Sequence, residues 1–72
     1  MDKIDRLDEF TCPFGGQKVE LQQVEYEAGG MPLLRLRIRE RGARFTIFEL
    51  DPGTAERWGA AMLAWAKGQP KA

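Results

Sequence analysis

Leu33-Leu34-Arg35-Leu36-Arg37-Ile38-Arg39-Glu40 alternates apolar and basic residues along most of its length. Successive side chains of a β-strand point to opposite faces, so this period of two reads as a half-buried strand. Leu34, Leu36 and Ile38 then line one face, and Arg35, Arg37 and Arg39 the other. Arg41-Gly42 follows as a tight turn, and Arg44-Phe45-Thr46-Ile47-Phe48-Glu49-Leu50 reads as the next strand. A two-residue turn sets Ile38 opposite Phe45 and Leu36 opposite Ile47.

Upstream, Ala28-Gly29-Gly30-Met31-Pro32 is rich in helix and strand breakers, and Lys18 to Tyr26 precedes it as another strand. Its apolar residues change parity: Val19 and Leu21 are odd-numbered, Val24 and Tyr26 even. A β-bulge near Gln22-Gln23 would bring both halves to one face. Gly15-Gly16 reads as a two-residue hairpin turn after Phe10-Thr11-Cys12-Pro13-Phe14, which sets Cys12 opposite Val19 and Phe10 opposite Leu21. Pro13 cannot donate to a ladder and marks an edge strand. Residues 1–9 are mostly charged, with Ile4 and Leu7 three apart, and read as a loosely held arm.

The helix announces itself at both ends. Asp51 suits an N-cap and Pro52 the first helical position, while Gly68 and Pro70 stop the helix. Ala55, Trp58, Met62, Leu63, Trp65 and Ala66 fall on one face at ~100° per residue. The expected architecture is α+β: a four-stranded antiparallel β-meander with one C-terminal α-helix packed on one face (ββββα). The domain spans 10–67, between the arm at 1–9 and a tail at 68–72. Trp58, Met62 and Trp65 are expected to pack on Val24, Tyr26, Leu34, Leu36, Phe45 and Ile47.

Composition narrows the function. Seventy-two residues make one domain, with 43% hydrophobic residues and eleven basic side chains balanced by eleven acidic ones. A chain this short buries only ~60% of the surface it exposes when unfolded, so apolar area is scarce. There is no His, Ser or Asn. Without His, the side chain that titrates near neutrality and the commonest metal ligand are both missing. Cys12, the single cysteine, has no His to activate it and no partner for an intramolecular disulfide. It shares a face with Phe10, Val19 and Leu21, which favours burial. The expectation is a non-enzymatic protein without catalytic residues, cofactor or metal. The first residues lack the apolar run of a signal peptide and no stretch is long enough to span a membrane, so the cytoplasm is the expected compartment and no membrane partner is expected.

Two surface features bear on partners. Arg35, Arg37, Arg39 and Arg44 could hold phosphates beside Phe48 and Thr46 on the open sheet face, which would suit weak single-stranded nucleic-acid binding. The bulged register instead supplies polar partners, setting Glu25 beside Arg35, Gln23 beside Arg37 and Glu20 opposite Arg39. Leu33, Phe48 and Leu50 form the second feature, an apolar patch on the same open face that a monomer would ordinarily cover. The leading expectation is therefore an interaction or accessory module that forms a homo-oligomer or binds a protein partner through this patch. The ββββα order also resembles the single-strand-binding domain of a class of transcriptional coactivators, which implies dimerisation and nucleic-acid binding on the sheet. Those domains are lysine-rich, whereas this chain is neutral and has four lysines.

Overall fold

The computed structural model of the chain describes residues 1–42 and 44–70. It contains an open four-stranded antiparallel sheet in the order β1-β2-β3-β4, followed by one helix. The strands are β1 (Lys3–Thr11), β2 (Lys18–Glu25), β3 (Leu33–Arg39) and β4 (Phe45–Leu50), and the helix is α1 (Pro52–Lys67). The ββββα fold expected from the sequence is the fold observed.

The register differs from the expected one, and each difference has a local cause. Between β3 and β4 the closing contact is Glu40 N–H to the Arg44 carbonyl at 3.0 Å, so the connection is one residue longer than the two-residue Arg41-Gly42 turn. Gly42 supplies the positive φ, 79°, that this turn needs. One extra residue moves every pairing by one and turns β4 over. Leu36 now faces Phe48, Leu34 faces Leu50, and Arg37 faces Ile47. Phe48 and Leu50 thus join the apolar face of β3, while Phe45 and Ile47 pass to the arginine face.

The first hairpin is also wider than a Gly-Gly turn. Cys12 N–H donates to the Gln17 carbonyl at 2.8 Å, and Gly16, at φ 72°, donates back to the Cys12 carbonyl at 2.8 Å. Phe10 consequently pairs with Val19, in place of Cys12 with Val19, and Cys12 is half-buried.

No bulge interrupts β2 against β3: the pairing runs unbroken from Lys18–Arg39 to Val24–Leu33. The extra residue is in β1, where the register steps between Arg6 and Asp8. Leu7 is the unpaired residue. The segment read as an arm is therefore strand from Lys3 onward, and the spacing of three in Ile4, Leu7 and Phe10 is that of a bulged strand. The bulge lets Phe10 follow Val19 to one face while Ile4 follows Val24 to the other.

These pairings give the sheet two unlike faces. On the helix side are Phe10, Val19, Leu21, Leu34, Leu36, Ile38, Phe48 and Leu50. On the arginine side a small apolar group, Ile4, Val24 and Leu33, sits at one end of a charged surface. Val24 is 0% exposed and is the one fully buried hydrophobic side chain among the described residues.

Helix α1 begins as expected. Asp51 accepts from Thr54 N–H at 3.2 Å and from Thr54 Oγ1 at 2.5 Å, and Pro52 occupies the first turn. Gly68 ends the helix in a right-handed conformation, φ −84°, with its N–H on the last carbonyls. Residues 71 and 72 of the expected tail lie outside the described residues. The helix meets one face of the sheet as expected but covers only part of it. It contacts the sheet chiefly along β3, and Trp58 meets Phe48 edge-on with ring centroids 6.0 Å apart. Val24, Tyr26, Phe45 and Ile47, expected beneath it, are on the far face.

Because Val24 is enclosed on a central strand between Ile4 and Leu33, truncating it removes contacts that no neighbour can replace. Val24→Ala is expected to cost about 1.5–3 kcal/mol of unfolding free energy, measured by urea denaturation, and Val19→Ala, at a partly exposed site, distinctly less.

Candidate protein-interaction surface

The arginine face is laid out by the pairings Gln22–Arg35, Glu20–Arg37 and Lys18–Arg39. Glu20 takes two arginines: Arg6 Nε at 3.1 Å from β1 and Arg37 Nη1 at 3.4 Å from β3. Glu9 is 3.4 Å from Lys18 and 3.7 Å from Arg6. Arg35 donates to Glu49 from Nε at 3.0 Å and Nη2 at 2.8 Å, and the Tyr26 hydroxyl donates to the same carboxylate at 2.6 Å. The expected pairings of Arg35 with Glu25, Arg37 with Gln23 and Arg39 with Glu20 depended on the bulge in β2 and do not form. The charge compensation they implied does occur, through Glu49 and Glu20.

Phe45 and Tyr26 are the aromatics on this face, with Phe48 on the helix side. The Arg37 guanidinium lies 4.6 Å and that of Arg39 5.8 Å from the Phe45 ring centroid, both within cation–π range. Arg44 lies just before β4 beside Glu40 at 4.0 Å, away from Arg35. A shallow depression of about 130 Å³ on this face is lined by Glu9, Lys18, Glu20, Arg37, Arg39 and Phe45, charges of both signs. Gln22 lies between Arg6 and Arg35 in register, with its side-chain oxygen buried and without a donor among the described residues.

Glu49 is the best-anchored carboxylate. Hydrogen bonds from Tyr26 first and Arg35 second hold it below its ordinary titration range, and the same contacts push Tyr26 and Arg35 upward. A depressed carboxylate stabilises the fold above the pH at which it titrates when unfolded, and this contribution vanishes as pH falls through its lowered value. For Tyr26 the sign reverses: its contribution is present in the neutral range and lost as pH rises through its raised value.

The helix side is of a different character. Phe48 and Leu50 are there, but Leu33, the third residue of the expected patch, pairs with Val24 on the arginine face. The three do not form one surface. Helix-side apolar residues instead extend from Phe10 across Leu21 and Leu36 to Phe48, and on to a helix that leaves them partly uncovered. Trp58 is 41%, Met62 63% and Trp65 69% exposed. Ala61, Met62, Trp65 and Ala66 line a shallow apolar groove, and Leu7, Leu34, Pro52 and Ala55 help line another under the start of the helix. Sequence reasoning assigned Met62 and Trp65 to the core because periodicity fixes which residues share a helix face. It carries no information on whether that face meets the sheet.

The whole molecule reports the same deficit. A folded monomer of 8.2 kDa exposes about 4,500 Å² by the usual scaling with mass, whereas this chain exposes 5941 Å². Its radius of gyration is 14.1 Å against about 11 Å for a compact domain of this length. Among the described residues no group of three or more Cys, Asp or Glu side chains converges on a metal-sized site. No helix among them is long and apolar enough to cross a membrane.

The Glu49 site makes a direct prediction. In an NMR-monitored acid titration, Glu49 is expected to titrate below the ordinary carboxylate range, and Arg35→Gln or Tyr26→Phe to move its midpoint upward. An unchanged midpoint in both variants would remove the three-way contact from the arginine face.

A search of curated proteins finds no match for this chain, and a search of solved structures finds none. A family model described as "Family of unknown function (DUF6967)" matches residues 1–68, nearly the whole chain and every element of the fold. The chain belongs to this family of unknown function.

Proposed function

We propose that this chain is a non-enzymatic protein-interaction module that works through the helix side of its sheet. One observation carries the reading: large apolar side chains on both the sheet and the helix stay in solvent in a domain too small to spare them. Burying one such side chain stabilises by ~1.5–3 kcal/mol, and contiguous apolar surface of this extent marks a binding surface. The titratable groups support no competing enzymatic reading. Those around Glu20 and Glu49 lie on an open face in pairs of opposite charge, with no enclosed cleft among the described residues in which one could be activated.

Single-stranded nucleic-acid binding by Arg35, Arg37, Arg39 and Arg44 is the weaker reading. Arg35 and Arg37 are engaged by Glu49 and Glu20, and the Phe45 ring that could stack a base is flanked by two guanidinium groups. Nucleic-acid affinity that falls steeply with salt would restore it, because counterion release scales with the phosphates contacted.

The apolar surface can be tested by substitution on helix positions that the monomer leaves exposed. Met62→Glu and Trp65→Glu are expected to abolish binding of an apolar fluorescent dye, or assembly, whichever the wild-type chain displays. Arg37→Glu is expected to leave either unchanged. A wild-type chain that stays monomeric and binds no dye would overturn the reading.

A further inference from the structure

We infer that the helix-side surface is covered by a second copy of this chain, with the helix of each protomer lying on the sheet of its partner. The inference rests on the interaction-module reading above and names its occupant. Four observations converge on it.

The first is area. The chain exposes roughly 1,400 Å² more than a compact monomer of its mass. A stable interface removes about 800 Å² from each partner, so a dimer of ordinary size covers more than half of this excess, which a small ligand does not.

The second is self-complementarity. One chain carries both a flat apolar floor, with Phe10, Leu21, Leu36 and Phe48, and a raised apolar stripe, with Met62 and Trp65. In a twofold pair each surface meets the other twice, so a single operation covers both. A foreign protein would have to supply a match for each.

The third is the connection. Only Asp51 lies between the end of β4 at Leu50 and the start of α1 at Pro52. Its extended backbone, φ −73° and ψ 162°, is held by the Thr54 cap, and Pro52 fixes the next φ. A one-residue connection held by this cap leaves the helix little freedom to change its angle to β4. Short, stiff connections of this kind favour packing in trans.

The fourth is charge. The net charge is zero and the ion pairs around Glu20 and Glu49 are on the opposite face, while the helix-side charges Lys3, Asp5, Asp8 and Glu25 are confined to the β1 edge, so two copies can approach over β3 and β4 without strong repulsion.

Sedimentation velocity on the full-length chain across micromolar concentrations tests the inference. The expected species has twice the 8.2 kDa chain mass. Trp65→Glu, whose folding can be checked by circular dichroism because the site is exposed, is expected to raise the dissociation constant by about tenfold or more. In a dimer of mixed isotope labelling, Trp65 is expected to show cross-peaks to Leu21 of the partner subunit. A dimer broken by Arg37→Glu and not by Trp65→Glu would overturn the inference. A chain monomeric at every concentration overturns it too, and if that monomer still binds apolar dye at Met62 and Trp65, the interaction-module reading stands without it.

Discussion

A β-strand can send its side chains to only two sides, and the pairing of Leu36 with Phe48 settles which side each residue of β4 takes. Leu34, Leu36, Ile38, Phe48 and Leu50 then make one apolar floor across β3 and β4. The same pairing leaves Phe45 and Ile47 among the arginines, where Arg37 and Arg39 flank the Phe45 ring. It also brings Glu49 within reach of Arg35 and Tyr26. A slip of one residue would put Glu49 on the apolar floor and Phe48 on the charged face. The ion pairs and the apolar surface are thus two results of one register.

That register originates in loop length, which explains what the sequence made legible and what it did not. Alternation in Leu33 to Glu40, the glycine-rich turns and the Asp51-Pro52 helix start are local signals, and the order of four strands and a helix followed from them. The choice between a two-residue connection at Arg41-Gly42 and one a residue longer is a small local difference with a global effect. Phe48 and Leu50 out of phase with Phe45 and Ile47 already signalled that one of these pairs must face away from the helix, and the shorter turn assigned the wrong pair. The parity change in β2 was a real signal too. It was attributed to a bulge at Gln22-Gln23, although Val24 simply faces the other side, where Ile4 and Leu33 enclose it. The bulge lies in β1 at Leu7, within a segment whose charge suggested an arm.

The helix was legible as a helix, but not how little of its apolar stripe the sheet would cover. Its stripe of Trp58, Met62, Leu63 and Trp65 is what a core helix would carry, and periodicity cannot tell burial within a chain from burial between chains. The angle at which α1 leaves β4 depends on the single residue Asp51 and its hydrogen bonds to Thr54.

A chain of 72 residues with one fully buried hydrophobic side chain among its described residues has little core of its own. If each copy completes the core of the other, folding and association are linked by mass action, and stability depends on protein concentration. Thermal unfolding followed over a hundredfold range of concentration measures this linkage directly. A melting temperature that climbs steadily with concentration is the result expected of a core completed in trans. A melting temperature independent of concentration, in a chain that unfolds reversibly, would contradict it.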